Sequence, residues 1–204
     1  MVAGLTFADL GRPSEKRLAC FYDAALVVGG SAVIALCAQI AVGYPVPITG
    51  QTLAVLMVAA LLGSRRGSLC VLAYLAEGLL GLPVFAQGKS GLAAFLGPTG
   101  GYLVGFVFAA GIVGALSDRT WDRRVPTTVV AMILGNLVIY GCGLLWLSCL
   151  ANLFAKPLGG GILAVGLYPF LFGDLLKIAV AAVLLPSGWK ITQYFGLDRA
   201  AGLR

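Results

Sequence analysis

The hydrophobic pattern of the chain is a series of long apolar runs, separated by short polar or Gly/Pro-rich segments. We place six runs at about residues 21–43, 51–63, 67–82, 100–116, 126–150 and 162–185. Because a helix needs about 20 mostly apolar residues to cross a bilayer, the pattern predicts an all-α integral membrane protein with six transmembrane helices. Fusing the short second and third runs would give five helices, but Arg65 and Arg66 would then lie at bilayer depth without an evident partner. We therefore favour two separate passes.

Composition agrees with a membrane protein and limits the domain organisation. The chain has 204 residues, of which 60% are hydrophobic and 11% are charged, whereas about a quarter of the residues in a soluble domain are charged. No polar block is long enough to form a separate soluble domain. We expect one membrane domain over residues 1–204, with an N-terminal segment at 1–20, a helix bundle at about 21–185 and a tail at 186–204.

The basic residues predict how the chain is oriented in the membrane. With the N-terminus inside, only Lys89 and Lys156 fall in outside loops, and Lys177 lies within the membrane. Eleven basic residues fall on the inside: Arg12, Lys16, Arg17, Arg65, Arg66, Arg119, Arg123, Arg124, Lys190, Arg199 and Arg204. This positive-inside bias predicts that both termini are cytoplasmic. It also accounts for the net charge of +6 without a nucleic-acid partner.

The three predicted outside connections differ from the short, charged inside turns. They span about residues 44–50, 82–99 and 151–161, and they carry glycine, proline and aromatic residues with little charge. Proline presets an extended backbone and glycine permits close approach. We expect these loops to fold back over the bundle and to cap a ligand cavity.

Asp174 and Lys177 are opposite charges near the middle of the last apolar run. Their spacing of three puts both on one face of a helix. An ionised group at such depth costs ~2.5–3.5 kcal/mol and usually faces a partner, a cavity or a pathway. The pair is either a neutralising ion pair that fixes helix packing or the polar anchor of a ligand cavity. A proton relay that includes Glu77 is a third alternative.

Other polar side chains in the apolar runs are candidates for the same cavity. Asn136 and Tyr140 share a helix face at spacing four, Gln51 opens the second pass, and Tyr102 opens the fourth. Glu77 lies in the third pass. Each has a structural alternative: an interhelical hydrogen bond for Asn136, a helix cap for Gln51 and an interfacial anchor for Tyr102. Glu77 either pairs with the lysine of the last pass or lies near the outer surface.

Several classes of chemistry lose their usual residues in this sequence. Histidine is absent, and the five cysteines lie in or beside apolar segments without a C-x-x-C pair. We therefore expect no metal site, no cofactor and no catalytic residues. Gly88-Lys89-Ser90 mimics the end of a phosphate-binding loop, but Pro83 stands where that motif needs a glycine. The chain is not expected to hydrolyse ATP by itself.

Four segments carry a resemblance to a known family. They are VPITGQTL at 46–53, GLPVFA at 81–86, GPTGGYL at 97–103 and GDLLK at 173–177. In this order and spacing they resemble the BioY family, the biotin-specific S components (substrate-binding subunits) of energy-coupling factor transporters. The resemblance implies a six-helix protein of the bacterial inner (cytoplasmic) membrane that binds biotin with high affinity near the external face. It implies energy from a separate transmembrane coupling protein, the T component, and from cytoplasmic ATPases. The alternative is a self-sufficient, proton-coupled carrier for a small vitamin-like carboxylate.

The resemblance also assigns residues. The family's vitamin-binding aspartate and lysine match Asp174 and Lys177. Biotin's ureido ring offers two N–H donors and one carbonyl, so the aspartate suits the N–H groups, whereas the lysine suits either the carbonyl or the carboxylate. The aromatic residues expected to wall the apolar body of the ligand are Phe85, Tyr102, Tyr140, Tyr168 and Phe172.

Docking to the T component is expected on the first helix. Related S components use an Ala-x-x-x-Ala face there, and two stripes of small residues match it in this chain. These are Ala25 with Gly29, and Ser31 with Ala35. Either stripe allows another helix to approach closely, and internal packing is the alternative role for both.

Overall fold

The computed structural model describes residues 4–43, 45–153 and 161–196. Its helices are α1 Phe7–Leu10, α2 Lys16–Gln39, α3 Gln51–Leu79, α4 Gly91–Phe95, α5 Gly100–Ser117, α6 Val125–Leu153, α7 Ile162–Gly166 and α8 Tyr168–Tyr194. Strands β1 Ala41–Val42 and β2 Ile48–Thr49 pair antiparallel between α2 and α3. Within the described residues, five helical segments are long and apolar enough to cross a membrane: Lys16–Gln39, Gln51–Leu79, Gly100–Ser117, Val125–Asn152 and Ile162–Tyr194.

Helix α3 is a helical hairpin rather than one straight rod. Gly63 interrupts it with φ 81° and ψ 178°, a conformation that favours glycine. The side-chain Nε2 of Gln51 lies 2.6 Å from the hydroxyl of Tyr74, although 23 residues of straight helix would separate them by about 35 Å. A Cβ on Gly67 would lie 2.7 Å from the Cα of Ala59. The segments 51–62 and 64–79 therefore pack as antiparallel arms.

The turn of the hairpin is held by the end of α5. The carboxylate of Asp118 accepts hydrogen bonds from the backbone N–H of Ser64 at 3.2 Å and from its hydroxyl at 2.6 Å. A Cβ on Gly114 would lie 2.5 Å from the Cα of Ser64, so α5 approaches the turn backbone to backbone. The predicted break after residue 63 is thus a single-residue turn, and residues 64–66 already belong to the second arm.

The end of the bundle that carries this turn, with Arg65, Arg119 and Arg124, is called the basic end below. An ion-pair network ties the N-terminal segment to it. Arg66 contacts Asp9 of α1 and Asp23 of α2, each at 2.8 Å, and Arg12 contacts Asp23 at 2.8 Å. Arg66, which has no evident partner in the sequence, is therefore paired with two carboxylates.

Asp9 is ionised at neutral pH in this network. Partial burial, the largest influence, raises the pKa of Asp9, but the hydrogen bonds from Thr6 and Arg66 together outweigh it and lower the pKa. Stability from a lowered carboxylate pKa is present above the unfolded value and is lost as pH falls through the folded one. The contribution of Asp9 to the network is therefore present at neutral pH and is lost in acid.

The helix boundaries differ from those predicted at both ends of the bundle. α2 begins at Lys16 instead of about residue 21, because its polar first turn is helical too. α8 continues through Pro186 to Tyr194 instead of ending near residue 185. Trp189 explains the extension: it is buried, its ring centroid lies 4.3 Å from that of Phe7, and its indole N–H donates to Asp122.

Candidate functional site

The floor of the main cavity is one face of α8. Phe170, Asp174 and Lys177 follow one another at spacings of four and three, so they share that face. Asp174 is only 5% exposed. Phe172 and Tyr168 were expected to wall the cavity, but they are 83% and 58% exposed and point away from it. This expectation was wrong because neither residue keeps the helical spacing with Asp174, and Phe170 takes their place.

A chain of hydrogen bonds joins the polar groups of the floor. The hydroxyl of Tyr140 donates to Oδ2 of Asp174. The ammonium of Lys177 donates to Oδ1 of Asp174 at 3.1 Å and to the hydroxyl of Thr52 at 2.8 Å. Asp174 and Lys177 therefore form an ion pair, which their shared helix face allows. The floor is neutral overall, but it offers both acceptor and donor atoms within a few ångströms.

Aromatic rings stand over the floor on the side of α5 and α6. The ring centroids of Tyr102, Tyr140 and Phe170 lie 6.2–6.4 Å apart, within the range of favourable aromatic packing. The hydroxyl of Tyr102 donates to the carbonyl of Gly166 at 2.8 Å, which ties α5 to the turn before α8. Gly143 lies directly under the ring of Tyr102, where a Cβ would collide with it. The position of the Tyr102 ring in this wall therefore requires glycine at residue 143.

The opposite wall is built from the α3 hairpin and the loop that follows it. Gln51 donates to the hydroxyl of Tyr74, and Tyr74 donates to the carbonyl of Val84 at 3.2 Å. Phe85 then packs edge-on against Tyr74 with ring centroids 5.6 Å apart. Gln51 is therefore a buried side chain that joins the two arms of α3, and Phe85 is fixed over the cavity by its ring contact.

The loops between α2 and α3 and between α3 and α5 line the same cavity. Together with the helices they surround about 690 Å³ of space, counted to the open mouth. The lining residues are Val46, Pro47, Thr49, Gln51, Thr52, Phe85, Ala86, Lys89, Ala94, Thr99, Tyr102, Leu103, Phe106, Ile139, Tyr140, Phe170, Asp174 and Lys177. Residues of the first two loops are among them. Tyr44, Lys156 and most of the third loop lie outside the described residues.

Two of the eight candidate ligand residues lie outside this cavity. Glu77 accepts a hydrogen bond from the hydroxyl of Ser31 at 2.8 Å and does not line the cavity. Asn136 lines a smaller neighbouring cavity together with Lys177 and Thr52. The other six candidates line the main cavity: Gln51, Phe85, Tyr102, Tyr140, Asp174 and Lys177.

Several residues of the cavity were not predicted from the sequence, and three of them bear on binding. Thr52 follows Gln51 on α3, where its hydroxyl accepts from Lys177. The sequence predicts only an outside charge at Lys89, within a false phosphate-loop motif, yet this residue lines the cavity at its mouth. Phe170 was detectable from its spacing of four before Asp174. Within the residues that the structure describes, no cluster of three or more His, Cys, Asp or Glu side chains could hold a metal ion.

The two candidate docking stripes on α2 face different directions. Ser31 is 1% exposed and bonds to Glu77, so its face is turned into the bundle. Ala25 and Gly29 are exposed, and a Cβ added to Gly29 would meet no atom within 4 Å. Of the two stripes, only Ala25 with Gly29 belongs to a surface that another helix can reach.

Comparison with known proteins supports the resemblance found in the sequence. The model of the BioY family matches residues 13–194. The biotin transporter BioY of Rhizobium etli is 40% identical over 160 residues, which cover 74% of this chain and 82% of that protein. Its counterpart in Thermotoga maritima is 36% identical over 140 residues, covering 69% and 79%.

A solved structure agrees with the sequence matches. The S component for biotin from an ECF-type ABC transporter superposes with a TM-score of 0.70 at 26% identity, covering 87% of this chain and 95% of that one. The agreement thus extends over most of the chain in both sequence and fold. This chain belongs to the BioY family.

Proposed function

We propose that the chain is the biotin-binding S component of an energy-coupling factor transporter and that it holds biotin in the main cavity. Family membership and the names of the relatives support biotin as the ligand. The observation that carries the proposal is the Asp174–Lys177–Tyr140 array beneath aromatic walls. A mostly apolar cavity with a few convergent polar groups is the usual form of a small-molecule site. A separate T component and ATPases supply the energy.

The floor suits the ureido ring of biotin better than its carboxylate. The ring presents two N–H donors and one carbonyl acceptor, and Asp174 and Lys177 offer the complementary atoms side by side. A carboxylate placed on Lys177 would also lie close to the negative charge of Asp174, and like charges repel. The ureido ring therefore binds at the floor, with the apolar body of biotin against Tyr102, Tyr140 and Phe85.

The carboxylate of biotin then lies near the mouth, where Lys89 lines the cavity. Lys89 is exposed, and it has no ion-pair partner among the residues that the structure describes. An unpaired ammonium at the open end of an apolar cavity complements an anionic tail. Lys89 and the Asp174–Lys177 pair thus recognise opposite ends of the ligand.

Replacing Lys89 with glutamine is expected to weaken binding of biotin but not of biotinamide, whose tail is uncharged. Because the contact is exposed, the expected loss for biotin is ~1 kcal/mol, or about 5-fold in affinity. Titration calorimetry with both ligands on the wild-type and variant proteins measures the difference. Lys190→Gln removes the same charge at the basic end and should change neither affinity. An equal loss for biotin and biotinamide in Lys89→Gln would place the carboxylate elsewhere.

The topology that we propose has six membrane crossings with both termini in the cytoplasm of a bacterium, across its inner membrane. It counts the two arms of α3 as separate crossings beside α2, α5, α6 and α8. The contact of Gln51 with Tyr74 supports this count. The positive-inside bias supports a cytoplasmic basic end. The mouth of the cavity then faces outward.

Docking to the T component is proposed on the outer face of α2 that carries Ala25 and Gly29. Both residues are exposed, and small residues let a second helix approach closely. The Ser31 face lacks this support because Ser31 is buried against Glu77. The same bond weakens the alternative of a proton-coupled carrier, since Glu77 is engaged on the α2 side and does not line the cavity with Asp174.

A further inference from the structure

A second, smaller cavity lies directly behind the floor of the main one. It is small and partly open, has about 190 Å³ of space when counted out to its opening, and is lined by Thr52, Leu53, Leu56, Met132, Asn136, Lys177 and Ile178. Thr52 and Lys177 line both cavities and hydrogen-bond to each other at 2.8 Å, so this bond is the partition between them. We call the smaller space the rear chamber.

The rear chamber lies about one helical turn nearer the basic end than the floor. Its lining residues lie nearer the basic end than those of the floor on all three helices. On α3, Leu56 follows Thr52, and on α8, Ile178 follows Asp174. On α6, which runs the opposite way, Asn136 precedes Tyr140 by four residues. The chamber is therefore separate from the space in which the ligand is proposed to bind.

Asn136 is the unexplained polar group of this chamber. Its side chain is 8% exposed, and among the described residues it makes no hydrogen bond. Its amide is not fully enclosed and faces the space of the chamber, where an amide without a partner is unfavourable. Lys177 has a related surplus, because an ammonium has three N–H donors and the described residues accept only two of them.

We infer that the rear chamber holds water, which bridges the amide of Asn136 to the third N–H of Lys177. When the ligand binds, its ureido carbonyl accepts the N–H that Lys177 otherwise directs to Thr52, so the ammonium never needs more than three acceptors. Buried water occurs where a space has room for it and two to four polar partners, and the three polar side chains of the chamber meet that need. A lipid chain entering the chamber would leave the amide and the ammonium unsatisfied. Asn136 is thereby a positioning residue, which acts on the ligand through water and Lys177 without touching it.

The water is tested directly by a high-resolution crystal structure of the ligand-free protein. The expected result is an ordered water within hydrogen-bond distance of both Nζ of Lys177 and the side-chain amide of Asn136. In Asn136→Leu, which removes the polar partner at similar volume, this water should be lost while the fold is kept. A wild-type rear chamber without water, or one filled by a lipid chain, would overturn the inference.

The effect on the ligand rests on the proposed function and needs a separate readout. Losing one hydrogen bond to a charged group, ~1.5 kcal/mol, should weaken biotin binding by Asn136→Leu about 10-fold. Biotinamide should weaken equally, because the effect arises at the ureido end. Asn136→Ser, which keeps a polar group and space for water, should restore most of the affinity. Leu137→Ala, at the exposed neighbouring residue of the same helix, should bind as wild type does.

Each outcome of the affinity test bears on a different statement. Unchanged affinity in Asn136→Leu would overturn the positioning role. If wild-type protein bound no biotin at all, the proposed function would fail, but the crystallographic test of the water would stand unaffected.

Discussion

Replacing Asp174 with alanine is expected to weaken biotin binding by ~100-fold or more. The carboxylate is 5% exposed and accepts hydrogen bonds from Tyr140 and Lys177. Its removal deletes the proposed acceptor for the ureido N–H groups and leaves the ammonium without its counter-charge. Breaking a buried charge pair costs ~3–5 kcal/mol, and each 1.4 kcal/mol corresponds to a factor of ten in affinity. Titration calorimetry on the purified variant measures the loss.

The control for Asp174→Ala is the adjacent residue of the same helix. Leu175 is 67% exposed on the outer face of α8, so Leu175→Ala should retain wild-type affinity. Both variants must elute as monodisperse protein in size-exclusion chromatography before they are compared. Asp174→Ala with the affinity of wild type would mean that this carboxylate does not anchor the ligand.

Replacing Gly67 with valine is expected to destabilise the protein by ~3 kcal/mol and to impair ligand binding. A Cβ at this position would lie 2.7 Å from the Cα of Ala59 in the other arm of α3. Backbone cannot move aside cheaply, and overpacking a tight contact costs ~1–3 kcal/mol. Separating the arms would also strain the bond between Gln51 and Tyr74 that supports one cavity wall. Thermal unfolding in detergent, followed by circular dichroism, measures the effect.

Gly141 on α6 provides the matched substitution. A Cβ there would meet no atom within 4 Å, so Gly141→Val should unfold close to the wild-type temperature. The comparison also tests the hairpin itself. If α3 were one straight helix, Gly67 would not contact Ala59, and its replacement would cost no more than that of Gly141.

Residues on a single helix were the part of the site that could be predicted from sequence. The pairing of Asp174 with Lys177 follows from a spacing of three, and Asn136 and Tyr140 were assigned to one face for the same reason. Periodicity applied more strictly would also have selected Phe170 and rejected Phe172. Helical spacing does not predict how far along the bundle axis a side chain lies. One helical turn separates Tyr140 in the main cavity from Asn136 in the rear chamber.

Contacts between distant segments were harder to predict. The Gly/Pro-rich loops were expected to cap the cavity, but nothing in the sequence indicated that Lys89 would reach its mouth. Glu77 was free to face the cavity, Lys177 or the outer surface until its bond to Ser31 was known. The break in α3 was predicted from the cost of Arg65 and Arg66 at bilayer depth. The partners of Arg66 are Asp9 of α1 and Asp23 of α2, which no local pattern connects to α3.

The most direct test of the central claim is titration calorimetry of the purified wild-type chain with biotin, without ATP and without any partner protein. We expect saturable binding of one biotin per chain at micromolar biotin, because the described residues of this chain line the cavity. Well-folded, monodisperse protein that releases no heat of binding with micromolar biotin would contradict it.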